Sequence, residues 1–332
     1  MSFKLEGKYE SFLSFLDEWS DDKPYVVAHT SGSTGTPKEI RLLKSDMTLS
    51  ARATNEFFGI EETSVLVCPL SVDYIAGKMM AVRALEADCR LWIAEPSNNL
   101  SSLAEIEDGI DLLAIVPSQI PSTVRLKREG PQIRNIIVGG SPMTEEQEKM
   151  LLQVDARCYS TFGMTETCSH VALRRIGEER YRAMPGISFA VDQDSRLIVG
   201  SNRMSFGELL TNDVVEVTDP HGFIWKGRHD NVINSGGVKL YPEEIEKKLR
   251  AVYPSRVIIF GEKDEKWGER VAAIVEDVDE AFEEAALTEK FRAALHPYSV
   301  PKKIYRLKKF PLTSTGKISR LEAIKKISTS GK

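Results

Sequence analysis

Residues 30–38 read TSGSTGTPK, with hydroxyls at Thr30, Ser31, Ser33 and Thr34, glycines at Gly32 and Gly35, and a cation at Lys38. Glycine lets a backbone turn tightly and bring its N–H groups close to an anion, while hydroxyls and an ammonium add further donors. Such a loop suits wrapping a triphosphate. It departs from the P-loop of kinases and GTPases, which requires lysine directly after the second glycine and then Ser or Thr. Here Thr36 and Pro37 intervene. Further along, Thr165 and Glu166 put a hydroxyl donor beside a carboxylate, a hard ligand suited to a magnesium ion among phosphates, although such a pair also serves as a helix cap. Asp213 is able to accept two hydroxyl hydrogen bonds, and Arg228 to add a charge-assisted contact or a salt bridge. Lys317 lies in the Gly-containing stretch TSTGKIS of a basic tail, where composition alone favours a solvated side chain.

The elements that must position these groups follow from periodicity. Phe12, Phe15, Leu16 and Trp19 recur at helical spacing. PYVVAHT (24–30) is a strand feeding the glycine-rich loop. Strands are expected at 64–70, 90–95, 111–117 and 135–141, alternating with helices at 75–87 and from Thr144, whose partner Gln147 completes a capping pattern. This alternation predicts a largely parallel α/β sheet with helices on its faces. From about residue 184 short strands separated by Gly, Asp and Asn predict a β-rich subdomain to residue 229. After it come a helix opened by Pro242 with Glu243 and Glu244 in its first turn, strands in SRVIIFGE and ERVAAIVED, and a helix at 279–295. The expected organisation is a large N-terminal domain, residues 1–229, and a small α+β domain, residues 230–332.

Acidic residues exceed basic ones by 49 to 44, a near-balance that gives no general attraction to nucleic acid or to an anionic membrane. The alternation of cations with Ile, Tyr, Leu and Phe in KKIYRLKKF reads as a strand edge rather than a nucleic-acid patch; it is also able to receive phosphates. Cys68, Cys89, Cys158 and Cys168 lack metal-ligand spacing, and free thiols in a reducing cytoplasm are the simpler reading. Neither a signal-peptide core nor a membrane-spanning run is present in the sequence, so a cytoplasmic protein without stable membrane association is expected.

At TSGSTGTPK the sequence resembles the adenylate-forming superfamily of acyl-CoA synthetases, luciferase and peptide adenylation domains, and further motifs follow in that family's order. VGGSPM (138–143) resembles the element beside adenine and the acyl group, YSTFGMTETCSH (159–170) the Thr-Glu phosphate and magnesium motif, and TNDVV the ribose-binding acid. GRHDNVINSGGVKLYPEEIE (227–246) resembles the hinge and PLTSTGKISR (311–320) the lysine motif. The resemblance covers the chain from residue 24 onward. It implies ATP, Mg2+ and coenzyme A as reactants and cofactor, a small carboxylic acid as substrate, and a mobile C-terminal lid. PLSVDYIAGKMMAVRAL (69–85) and FGMTETCSHVALR (162–174) resemble the branch that activates o-succinylbenzoate for menaquinone biosynthesis. Alternatives are a ligase for another aryl or aliphatic acid, or an enzyme loading a carrier-protein phosphopantetheine.

Carried over residue by residue, the resemblance assigns catalysis to Lys317, Thr165 and Glu166, with Glu166 on magnesium. It assigns nucleotide binding to Thr30, Ser31, Gly32, Ser33, Thr34, Gly35, Lys38, Gly139, Gly140, Ser141, Phe162, Gly163, Asp213 and Arg228. Asp230 matches the hinge, and Gly236, Gly237 and Lys239 the thioester step. For an acid with a second carboxylate, His170 and Arg174, four apart and sharing a face if helical, are candidate donors; Ser141, Thr167, Tyr74 and Lys78 are further acyl-pocket candidates. The phosphate loop begins at residue 30, whereas a much longer segment precedes it in most of the family. The shortened front leaves either a more open acyl pocket or a pocket wall supplied at the interface of a homodimer.

Overall fold

A computed structural model describes residues 4–29, 39–276, 283–312 and 318–330. The first half runs β1 (Lys4–Gly7), α1 (Glu10–Ser20), β2 (Tyr25–His29), β3 (Glu39–Leu43), α2 (Lys44–Phe58), β4 (Val65–Cys68), α3 (Ile75–Ala87) and β5 (Arg90–Ile93), then β6 (Leu112–Ile115), α4 (Ile120–Glu129), β7 (Asn135–Val138), α5 (Glu145–Leu151) and β8 (Arg157–Gly163). Six of these strands, in the order β1-β5-β4-β6-β7-β8, pair in parallel. Parallel strands covered on both faces must be apolar throughout, and VLVC, LLAI and NIIV are buried at every position, Asn135 included. One face is covered by α1, α2 and α3 through Phe12, Phe15, Met47, Phe58, Met79 and Met80. The other packs Leu126 of α4 and Leu151 of α5. Thr144 caps α5 as the sequence predicts, its hydroxyl accepting from Gln147 N while the Gln147 side chain accepts from Thr144 N.

The chain then reverses. β9 (His170–Arg175), β10 (Arg180–Ala183), β11 (Ile187–Val191), β12 (Arg196–Ser201), β13 (Glu208–Asp219) and β14 (Gly222–Arg228) extend the same sheet in antiparallel order, β8-β9-β10-β14-β13-β12-β11. The antiparallel part begins at residue 170, earlier than the change of texture near 184, and shares one ladder with the parallel part. β2 differs from expectation as well: it pairs with β3 in a sheet of its own and does not join the large one.

A smaller C-terminal domain follows, with β15 (Ile233–Ser235), β16 (Val238–Leu240), α6 (Pro242–Leu249), β17 (Val257–Asp264), β18 (Gly268–Glu276), α7 (Glu284–Ala294), β19 (Lys303–Leu307) and α8 (Arg320–Ser330). Period-2 alternation sends Ile259, Val271, Ala273 and Val275 toward α6 and α7, and Ile258, Phe260, Ala272 and Ile274 toward α8. β19, from the basic KKIYRL stretch, pairs with β18 at the sheet's edge. Among the described residues no helix is long and apolar enough to cross a membrane.

Candidate active site

In open α/β sheets ligands bind beyond the carboxyl ends of the strands. Here the turns after β7 and β8 meet at that edge. A Cβ on Gly139 would lie 2.5 Å from Thr161 Oγ1, which would have to turn aside, and one on Gly163 would lie 2.2 Å from the Ser169 carbonyl oxygen, so Gly163 requires glycine. Gly140 adopts φ +85°. Ser141 follows it, half-buried. After Gly163 the chain makes a single turn of helix at Thr165–Thr167, and β3, the strand that follows residues 30–38 in sequence, lies against it. Glu166 is exposed on this turn and makes no hydrogen bond or ion pair among the described residues. Residues 30–38 and Lys317 lie outside the described residues.

Thr167 is not a pocket lining: it is 1% exposed, and its hydroxyl accepts from Met164 N and reaches the Met164 and Ser169 carbonyls, closing the turn. Phe162 is held edge-on against Tyr181 and Phe223, in an aromatic group that also includes Phe189.

Asp213 and Arg228 are direct cross-strand partners on β13 and β14. Asp213 Oδ1 accepts from Trp225 Nε1 at 2.9 Å, while among the described residues Oδ2 has only Arg228 Nη1, at 3.8 Å. Burial raises the Asp213 pKa; the Trp225 hydrogen bond and Arg228 pull it back. Oδ2 thus remains open to hydroxyl donors. Trp225 was not singled out in the sequence, where GFIWKGR reads only as a strand. Arg228 Nε also reaches Asp230, 3.6 Å away in the short turn leading to the small domain.

The acyl-pocket candidates from sequence separate. His170 and Arg174 lie on a strand, not a helix, and an extra residue in β9 opposite Phe162–Gly163 breaks the register between them. Arg174 pairs with Glu148 of α5 (2.5 Å) and lies over the Tyr181 ring. Lys78 is consumed by Glu18 (3.0 Å) and packs over Phe15. Tyr74 precedes α3 and is exposed.

His170 instead joins a buried polar chain whose head is Arg83, a residue that sequence reasoning missed. The available signal was a second cation in the mostly apolar IAGKMMAVRALEA. Arg83 is 2% exposed; Nη2 donates to Ser169 Oγ at 2.7 Å, Nη1 meets Met80 Sδ at 3.3 Å, and Nε has no partner. Thr54 donates to the Ser50 carbonyl (3.0 Å), so donor counting makes His170 Nε2–H the donor to Thr54 Oγ1 at 3.1 Å and leaves Nδ1 as an acceptor facing Ser169 Oγ. Burial, and then the like charge of Arg83, hold His170 well below its ordinary pKa of 6.5. Burial pushes Arg83 down to about 10, still a cation at neutral pH, and the nearby Cys68 thiol up to about 12. All four cysteines are buried and unbridged.

In the small domain Gly236 (φ +59°) and Gly237 (φ +82°) form the turn between β15 and β16. A Cβ on Gly236 would lie 2.7 Å from the Trp267 ring, and Gly236 N donates to the Trp267 carbonyl. Lys239 reaches back to Asp194, between β11 and β12 of the large sheet, at 3.2 Å.

Comparison with known proteins matches this arrangement. Residues 6–211 match the AMP-binding enzyme family, and residues 243–317 the AMP-binding enzyme C-terminal domain. The 2-succinylbenzoate–CoA ligase of Listeria monocytogenes is 27% identical, over 95% of this chain and 72% of that protein. The crystal structure of an acyl-CoA synthetase (AMP-forming)/AMP-acid ligase II-like protein from Dyadobacter fermentans is 32% identical, with a TM-score of 0.62 over 96% of this chain and 94% of its own. The o-succinylbenzoate coenzyme A synthetase of Bacillus subtilis, solved with ATP and a magnesium ion, shares the fold at 20% identity and a TM-score of 0.76, over 90% of this chain and 69% of its own. The chain belongs to the AMP-binding enzyme family, within the adenylate-forming acyl-CoA ligase superfamily.

Proposed function

We propose that this chain activates o-succinylbenzoate with ATP and transfers the acyl group to coenzyme A. A substrate carboxylate oxygen attacks the α-phosphorus of ATP, the bond to the bridging oxygen breaks, and pyrophosphate leaves. The coenzyme A thiolate then attacks the acyl carbon of the adenylate, the carbon–oxygen bond breaks, and AMP leaves. In this reading Thr30–Lys38 cradle the phosphates, and Lys317 neutralises the approach of carboxylate to α-phosphate. Gly139, Gly140 and Ser141 line the nucleotide and acyl crevice. Asp213 Oδ2 takes the ribose hydroxyls, with Arg228 beside it. Residues 1–229 hold the acid and nucleotide, and residues 230–332 form the lid, turning at Asp230 to bring Gly236, Gly237 and Lys239 to the thioester step.

The residues fit a magnesium ion. Magnesium is bound through one or two carboxylates together with substrate phosphates rather than by an all-protein cage; among the described residues no three-ligand cluster exists, while Glu166 offers a free, exposed carboxylate. The ion held there would neutralise phosphate charge, and Thr165 would donate its hydroxyl to the same phosphates.

The observation that carries the choice of acid is Arg83. Burying an ion costs several kcal/mol unless it is paired, yet this guanidinium has no carboxylate partner among the described residues. Its Nη2 reaches Ser169 Oγ at the end of the turn that follows Gly163, and in this reading the second carboxylate of a diacid completes it. The name of the Listeria relative supports the same acid. The test is coenzyme A-dependent AMP release with o-succinylbenzoate, benzoate and a medium-chain fatty acid. O-succinylbenzoate is expected to be preferred, and Arg83→Met to cut kcat/KM for it by about 10- to 100-fold, the worth of a charged hydrogen bond, while leaving benzoate unchanged. Preference for another acid would keep the adenylation chemistry and discard this substrate. AMP formation without free thioester would point to a carrier-protein acceptor.

A further inference from the structure

At the opposite edge of the large sheet, where β4, β6, β7 and β8 begin, lies a cavity of about 790 Å³ lined by four arginines, Arg90, Arg134, Arg157 and Arg175, and three aspartates. Its charges fall into two sets. Arg90 pairs with Asp108 at 2.7 Å and Arg134 with Asp111 at 3.1 Å. Asp111 is further committed through Oδ2, which accepts from Val65 N. Arg157, Arg175 and the third aspartate, Asp155, are exposed and make no ion pair among the described residues.

The sheet forces the two arginines together. Tyr159 on β8 is the cross-strand partner of Arg175 on β9, and Arg157 stands two residues before Tyr159, so both guanidiniums rise from the same face on adjacent strands. Diagonal neighbours of this kind have Cα atoms about 7–8 Å apart, within reach of long side chains. Two like charges so placed repel unless an anion lies between them, and the planar guanidinium fork matches phosphate bidentately.

We propose that this cavity is a phosphoanion site in which Arg157 and Arg175 grip a phosphate carrying at least two negative charges. It is separate from the nucleotide crevice: the length of β8, about six rises of ~3.3 Å or roughly 20 Å, lies between Arg157 and Gly163. The site goes beyond the ligase reading and does not depend on it.

Equilibrium dialysis of the full chain with labelled pyrophosphate, and separately with labelled AMP, tests it. Wild type should bind one more equivalent than Arg157→Gln/Arg175→Gln, with ATP–pyrophosphate exchange the same in both. Arg157→Lys/Arg175→Lys, which keeps the charge and loses the fork, should retain that equivalent about tenfold more weakly. An extra equivalent seen with pyrophosphate alone assigns a free anion, and one seen also with AMP assigns a phosphomonoester on a larger molecule. Equal binding by wild type and the Gln variant with both probes overturns the proposal.

Discussion

Arg83 on α3 and Arg320 in the small domain are both cations set against packed cores, and their surroundings treat them in opposite ways. Arg320 closes a ring: Nη2 meets Glu246 Oε1 at 2.7 Å, Nη1 donates to the Ile259 carbonyl at 2.5 Å, and Glu246 accepts from Ile259 N at 2.8 Å. The ring ties α6, β17 and α8 together. Arg83 ends in a sulfur contact, one serine and an unpartnered Nε. A charge whose partners are complete belongs to the architecture, whereas one left short of a counter-charge is a seat for something that arrives later.

The largest effect should come from opening the ring. Arg320→Met strands Glu246, only 7% exposed, without its cation; burial already pushes that carboxyl up, and Arg320 and the Ile259 amide are what pull it back. Removing one partner of a buried pair costs about 3–5 kcal/mol. Urea denaturation should show that loss at neutral pH and a smaller one where Glu246 is protonated. A loss under about 1 kcal/mol would mean that the ring is ornamental and the comparison fails at its structural end.

The two regions also differ in how far the sequence announced them. Capping at Thr144, the helix at 75–87 and the alternating strands β17 and β18 follow from local pattern, because one residue's neighbours in sequence decide its face. The glycines after β7 and β8 were equally visible, and Gly163 is required by the close approach of the Ser169 backbone. Arg83 was passed over because its meaning lies in a missing partner, and an absence cannot be read from spacing. His170 and Arg174 were misread because a single extra residue in β9 breaks the register between them, and a bulge leaves no mark in composition. Lys78 looked available until α1, distant in sequence, supplied Glu18.

His170 gives an intermediate effect and sharpens the contrast from the Arg83 side. Its folded pKa is depressed, so below the unfolded value near 6.5 the unfolded chain binds a proton that the folded chain refuses, and stability falls as pH falls. One proton contributes a slope of at most about 1.4 kcal/mol per pH unit. Between pH 6.5 and 5, wild type should therefore lose more stability than His170→Asn, with the two running parallel above pH 7.5. Parallel curves throughout would mean that His170 takes up its proton freely in the folded protein, and the buried chain from Arg83 to Thr54 would not be closed to water.

The smallest change in stability is expected where the structural reading of Arg83 would demand a large one. Arg83→Met removes a buried cation that has no counter-charge among the described residues and replaces it with a flexible apolar chain beside Met80; the loss is one hydrogen bond to Ser169, and the gain is relief of desolvation. Unfolding free energy should stay within about 1 kcal/mol of wild type. The ligand then separates seat from scaffold. At 100 times its dissociation constant a ligand specific for the folded state adds about 2.7 kcal/mol, so o-succinylbenzoate with ATP should raise the thermal midpoint of wild type. In Arg83→Met that increment should shrink at the same concentrations, while the increment from ATP alone is retained. A destabilisation approaching that of Arg320→Met would instead make Arg83 a structural group whose partners are already sufficient. The second carboxylate would then need another cation, and the two arginines would no longer differ in kind.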